Sequence, residues 1–333
     1  MERAEAARGG LGSTLRIPSW RLKWHQPLPG RAPRLRAVRR LGWAGETGIA
    51  MAAPVFVLIT IFTVYSFGRA IYESTRIESP IFPPQYVGLE NYRDVLDSPY
   101  FANAARTTIW FAAVSVPALL VLGVLVALLL SEPFFGNTAL RVGMLLPWAI
   151  PATVAGLIWK WIFLDSWGAL NAFLYSLGII DRYIQWLTTP NLARLAVVVV
   201  FIWAQLPLAS IFLLAALQAI PQDLYDAASV DGAGAFARFR AVTFPGIRPM
   251  LVIVALFELL MAITNFDITY SLTQGGPGTA TTMLTYFTWV ESFKKLDFGR
   301  GAALAIIIAL ASLVAILVLI RAMPKGALVE ERR

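Results

Sequence analysis

Apolar residues along this chain come in long blocks rather than in short alternating runs. Six stretches are built almost wholly from aliphatic and aromatic residues: 48–67, 107–130, 142–163, 195–219, 250–272 and 301–323. Each approaches the about 20 residues that a helix needs to cross a bilayer core. Between them lie short polar segments marked by turn residues. Pro80, Pro83 and Pro84 follow the first block, and a short amphipathic segment covers Tyr92 to Leu96. Pro133 and Gly136 punctuate a tight turn over 132–137, after the second block. Residues 165–194 form an outer loop with a short apolar piece at 170–180. The pattern predicts an all-α integral membrane protein with about six transmembrane helices. The third block is unusual in holding Pro147, Pro151, Gly156, and Lys160 between Trp159 and Trp161. Proline at membrane depth frees backbone carbonyls, which is tolerated where protein or a water-filled cavity satisfies them. Lys160 reads as a snorkelling cation flanked by interfacial tryptophans.

Composition agrees: 58% of residues are hydrophobic and 14% charged, with a mean hydropathy of +0.66. Such values are foreign to soluble domains. There is no cysteine, which excludes disulfides, thiolate catalysis and cysteine metal sites, and the single His25 excludes a histidine cluster. No Gly-x-x-x-x-Gly-Lys-Ser/Thr phosphate cradle occurs; the run from Gly9 to Thr14 has the glycines but lacks the lysine and a preceding strand. Nor does any nucleophile–base set fall in a segment expected to face water.

The net charge of +8 marks the cytoplasmic side of a membrane rather than a nucleic-acid partner. Residues 1–45 carry ten Arg and Lys interleaved with four prolines, and read as a disordered cytoplasmic tail lying on anionic lipid. With no early apolar block, the tail is not expected to be a cleaved signal. The transmembrane domain is expected over 46–325 and a second cytoplasmic tail over 326–333. With the N-terminus inside, eighteen of the 28 basic residues fall in the cytoplasm, eight outside and two at span edges. Without the N-terminal tail the count is eight against eight, so that tail sets the orientation. An even number of spans then returns both termini to the cytoplasm.

One polar stretch stands out from the apolar blocks. Residues 221–249 include DAASVDGAGAFARFRAVTFP, from Asp226 to Pro245. Gly232 and Gly234 predict two short helices with a bend, and Pro245 and Pro249 are expected to close the loop before the fifth block. Asp226 is expected near a helix start, where negative charge is favoured. The run resembles the EAA loop of importer-type ABC transporter permeases, in which Glu-Ala-Ala is followed at set spacings by Gly and by an Ile-x-Leu-Pro. Asp226, Ala227, Ala228, Gly232, Val242, Phe244 and Pro245 occupy the matching places, with Asp226 standing for the usual Glu and Phe244 for the usual Leu. The phrases Gln218 to Tyr225, Tyr86 to Tyr92 and Asp267 to Thr282 are similar to those of the carbohydrate-uptake branch, the maltose and glycerol-phosphate type.

That resemblance implies a type I importer permease fold with a cytoplasmic coupling helix. It also implies a second permease subunit, expected to be a different chain, two ATPase subunits that hold ATP and Mg2+, and an extracytoplasmic solute-binding protein. The chain itself is then no enzyme. Its cargo is expected to be a sugar or sugar-like solute, moved by alternating access. Glycerol-phosphate, polyamine or another small solute is the alternative, although an anionic cargo calls for basic groups deep in the spans, and Lys160 alone meets that description. A secondary transporter would carry inverted repeats and broken helices in matching halves, of which only the third block gives a sign. Polar and aromatic residues inside spans mark the candidate pathway: Glu258, Asn265, Asp267 and Tyr270 on the fifth block, Trp203 and Gln205 on the fourth, and Trp159 on the third. Glu258 and Asn265, seven apart, are expected on one helix face.

Overall fold

Backbone groups in lipid must be satisfied within the chain, so apolar blocks of this length have helices as their outlet. The structure is a computed structural model and describes residues 41–322. The basic tail therefore lies outside the described residues up to position 40, as does the C-terminal tail. The chain divides into two units, residues 1–62 and 63–333. The described part of the first is α1 (Leu41–Ile59), which continues into a π-helical turn at Thr60–Tyr65 and takes in residues 41–45, expected to belong to the tail.

The second unit opens with α2 (Ser66–Ser74), a two-stranded antiparallel hairpin and α3 (Glu90–Leu96). In the hairpin β1 (Arg76–Ile77) pairs with β2 (Gln85–Tyr86), Arg76 facing Tyr86. Buried Asn91 holds this corner: its amide donates to the carbonyls of Ser74 at 2.9 Å and Arg76 at 2.7 Å. The long α4 (Pro99–Ser131) then starts eight residues ahead of the expected position 107. Ser98 accepts from Tyr100 N–H and Pro99 fills the first turn, where its missing N–H costs nothing.

The third block folds as a broken span. After α5 (Asn137–Met144), α6 (Leu146–Ala149) and α7 (Ala152–Ile162) meet at a break, and the helical course turns by 96° there. Pro151 forces the residue before it out of the helical region, and Ile150 is extended at ψ 129°. The short α8 (Ala169–Ser176) precedes α9 (Pro190–Gln218). Next come α10 (Gln222–Val230), α11 (Ala235–Arg238), a π-helical turn at Phe239–Thr243 and α12 (Phe244–Ile263).

Two expectations are corrected here. Pro245 and Pro249 do not close the loop; they lie within a continuous helical course from Ala235 to Ile263. The wide turn absorbs Pro245, with Phe244 N–H donating to the Phe239 carbonyl. The loop proper thus ends at Gly234, not at 249. The fifth span likewise does not run from 250 to 272. It stops at Ile263 and resumes as α13 (Asp267–Leu272), so Asn265 lies past the helix end rather than two turns above Glu258. Side chains make the break possible. Thr264 bonds back to the Leu260 carbonyl at 2.7 Å, and the Thr285 hydroxyl donates to the Asn265 carbonyl at 2.6 Å. α14 (Leu284–Trp289), a third π-helical turn at Val290–Lys294 and α15 (Phe298–Ala322) complete the described residues. Among the described residues, five helices are long and apolar enough to span, or six with the bent pair.

The core lies where α4, α9 and α12 meet. Phe111, Leu119 and Leu130 of α4 interlock with Val197, Val200, Phe201 and Leu213 of α9 and with Ile247 and Val254 of α12. Phe111 meets Phe201 edge to face at 5.1 Å. In lipid such packing, not expulsion of water, holds helices together, and small residues permit it. Gly123 lies against Leu213 and Ala209. The two broken spans are also joined: α13 packs on α7, where a Cβ on Gly156 would fall onto the Ser271 hydroxyl. Gly156→Leu is therefore expected to lower the melting temperature of the purified subunit in detergent, the overpacking costing about 1–3 kcal/mol. Gly143→Leu, with nothing within 4 Å of its added Cβ, serves as the neutral control.

Candidate functional site

The loop between α9 and α12 is built from its turns outward. Pro221 starts α10, and Asp223 lies in its first turn. Asp226 is not at the helix start, as its sequence position led one to expect; it sits mid-helix, where Gln222 donates to it at 3.3 Å. Positions 223, 226, 227 and 230 share one face of the helix, and all four are exposed. The opposite face carries Tyr225 and half-buried Ala228; the Tyr225 hydroxyl meets that of buried Thr243 at 3.1 Å. Thr243 belongs to the π-helical turn below α12, so the loop is pinned at its base.

Gly232 makes the bend between the two short helices. Its φ of +78° is a left-handed angle that favours glycine, and no atom lies within 4 Å of where a Cβ would stand. The site around it is conformationally demanding yet sterically open. Ala227 is exposed, Val242 half-buried, and Phe244 and Pro245 exposed at the start of α12. Two residues that sequence reasoning passed over complete this surface: Val230 is 88% exposed and Phe236 76%. Large apolar side chains in an otherwise polar loop are the signal that singles them out. Beside the loop, a cavity of about 680 Å³ is lined by Ser131, Glu132, Gln218, Tyr225 and Arg238.

The polar residues of the spans separate into two groups. Glu258 of α12 is fully buried and takes a 3.5 Å hydrogen bond from Gln205 of α9; its other carboxylate oxygen is without a partner. Asn265 is buried at the break, with its amide 3.8 Å from Met283 Sδ. Asp267 is exposed and accepts from the Thr153 hydroxyl at 2.9 Å, bridging the two broken spans. Tyr270 joins a cluster that the sequence did not show as one. Its ring stacks on Phe266 at 5.3 Å and meets Trp289 at 5.0 Å, and Tyr286 lies 5.6 Å from Trp289. Phe266, Tyr286 and Trp289 were not singled out, because two of them lie beyond the fifth block and meet Tyr270 only through the fold. Trp159 and Trp203 form a separate edge-to-face pair at 5.6 Å, and the Trp159 indole N–H is buried without a partner.

Among solved structures, this fold is similar to a chain of a bacterial alginate ABC transporter crystallised with an alginate pentasaccharide-bound periplasmic protein. The TM-score is 0.73 and the identity 23%, covering 86% of this chain and 96% of that one. Curated relatives are closer in sequence. The sulfoquinovosyl glycerol transport system permease protein of Agrobacterium fabrum is 36% identical over 78% of this chain and 84% of its own length. The trehalose/maltose transport system permease protein of Thermococcus litoralis is 35% identical, covering 79% and 88%. The sn-glycerol-3-phosphate transport system permease protein of Salmonella typhi is 32% identical, covering 78% and 87%. Residues 119–323, from mid-α4 to the end of α15, match a single family. This chain belongs to the binding-protein-dependent transport system inner membrane component family.

Proposed function

We propose that this permease passes a sugar or sugar-like solute across the membrane while its α10–α11 loop sits in a cleft of a separate ATPase subunit. The observation that carries the reading is the bare outward face of that loop. Asp223, Asp226, Ala227 and Val230 line one exposed stripe, backed by a pinned inner face and a glycine hinge. An arginine of the ATPase pairs with Asp226, and the small Ala227 admits the partner to the backbone, while Ala228 packs on the inner face. Val242 in the π-helical turn, and Phe244 and Pro245 in the first turn of α12, carry the motion into that helix. The assembly comprises this chain, a different permease chain, two ATPase subunits holding ATP and Mg2+, and an external solute-binding protein. Both termini of this chain are cytoplasmic.

Hydroxyl-rich cargo suits the extracytoplasmic half of the spans. Asp267 offers acceptors, Tyr270 and its ring neighbours offer apolar faces, and Asn265 lies at the break between them. The Trp159–Trp203 pair is a second ring surface on the same route. Gln205 and Glu258, buried against each other, act at the margin of the route. The curated relatives named above are permeases for a sulfonated glycoside, for disaccharides and for glycerol 3-phosphate, which makes a sugar the first cargo to test and a phosphate ester the second.

The test reconstitutes the complete transporter in proteoliposomes with its binding protein. Uptake of a labelled disaccharide or glycoside is expected to need both ATP and the binding protein. Uptake driven by an ion gradient alone would overturn the reading; two broken spans make that arm necessary, because secondary transporters share the feature. Competition by glycerol 3-phosphate but not by sugars would move the cargo to phosphate esters. A fluorescent reporter fused after Arg333 is expected to light the cytoplasm; a reporter active only outside would reverse the orientation.

A further inference from the structure

A fully buried carboxyl in a membrane helix is costly, and its presence calls for an explanation. Glu258 has one oxygen bonded to Gln205 and the other unpartnered, inside an apolar junction of α9 and α12. Among the described residues, this is the one side-chain hydrogen bond between those two helices. Their place in the chain gives it meaning. α9 enters the α10–α11 loop and α12 leaves it, so they are the two limbs of one hairpin. At about 1.5 Å per helical residue, Gln205 sits about 20 Å from the end of α9 at Gln218, and Glu258 about 20 Å from the start of α12 at Phe244. The limbs are therefore tied at two levels: near the loop by Tyr225 on Thr243 and Gly246 against Ile220, and far from it by Gln205 on Glu258.

We propose that the Gln205–Glu258 pair is a cross-tie that makes α9 and α12 move as one lever, and that these two are positioning residues for transport. Apolar packing holds these helices together without a directional bond; the hydrogen bond adds one and pins their register at this level. A push on the loop then reaches the upper end of α12 undivided. That end lies little more than one turn above Glu258, where Thr264 to Phe266 break the span and lead to Asp267. Without the tie, α9 and α12 shift separately and part of the stroke is lost before the break. The inference rests on the coupling role proposed for the loop.

The measurement is solute transported per ATP hydrolysed, in the reconstituted complete transporter. Glu258→Leu and Gln205→Leu each leave one polar partner alone. Each is expected to raise the ATP used per solute by about fivefold or more. The exchanged double variant, Gln205→Glu with Glu258→Gln, rebuilds the pair and is expected to restore stoichiometry to within about twofold. A merely structural role would change assembly or melting temperature and leave the stoichiometry alone. Wild-type stoichiometry in both single variants would overturn the proposal, as would an assembled but uncoupled exchanged variant. Failure of all three to assemble would also overturn it, because the pair would then serve assembly. Gly232→Trp, run in parallel, separates this inference from the reading beneath it. If Gly232→Trp uncouples and Glu258→Leu does not, only the cross-tie falls; if Gly232→Trp is silent, the coupling loop itself is misassigned.

Discussion

Replacing Gly232 by Trp is expected to reduce solute uptake by a factor of about 10 or more in an otherwise assembled transporter. The cause has two parts. The left-handed angle at Gly232, φ +78°, costs a side chain about 1–2 kcal/mol, so the bend between α10 and α11 relaxes toward a different angle. The added side chain also leaves the backbone into open space, since nothing lies within 4 Å of its Cβ, and so reaches toward the docked partner. Gly234, whose φ is −68°, adopts an angle open to any residue, and Gly234→Ala is expected to transport like wild type. Uptake and solute-stimulated ATPase activity, measured side by side, check both. Equal effects at the two glycines would remove the bend as the cause.

Placing charge on the loop's exposed apolar residues is expected to release the ATPase altogether. Val230 and Phe236 are 88% and 76% exposed on a segment whose inner face is already pinned. Apolar side chains displayed this fully on a short polar loop are suited to burial in a partner's cleft. Val230→Asp with Phe236→Asp would carry two carboxylates into that cleft. At about 2 kcal/mol or more for each of the two anchors lost, affinity falls by about 700-fold or more. The ATPase subunits then no longer copurify with the permease in detergent. The same change at Ile81 and Phe82, exposed on the β1–β2 hairpin, is expected to leave copurification intact.

Most of the architecture could be read from residue order, and the places where it could not have physical causes. Apolar length locates each span but not its ends, because capping extends the helix into polar sequence. Ser98 and Pro99 carry α4 back to residue 99 in this way. Proline reads ambiguously at a helix boundary. Pro151 breaks its span because Ile150 is pushed extended, whereas Pro245 sits inside a helix because a wide π-helical turn beneath it absorbs the misfit. The break at 264–266 is invisible to hydropathy, since it depends on Thr285, twenty residues on, supplying a hydroxyl to the Asn265 carbonyl.

The candidate sites divide along the same line. The loop motif depends on local spacing, and Gly232 takes the bend that its position called for. Which face of α10 is bare follows from Tyr225 meeting Thr243, a contact between the loop and the helix beyond it. The Gln205–Glu258 pair and the ring cluster around Tyr270 are products of packing between distant segments, so their members could be suspected singly but not joined.

The chain contains no cysteine, so Ala227→Cys gives a single reactive thiol in the middle of the loop's bare face. Oxidising the assembled transporter, with a matching cysteine placed in the ATPase cleft, tests the seating of this loop most directly. The expected result is a permease–ATPase disulfide whose yield changes on ATP binding, together with protection of the thiol from maleimide applied outside intact cells. Labelling of that thiol by an impermeant maleimide from outside, with no cross-link to the ATPase, would contradict it.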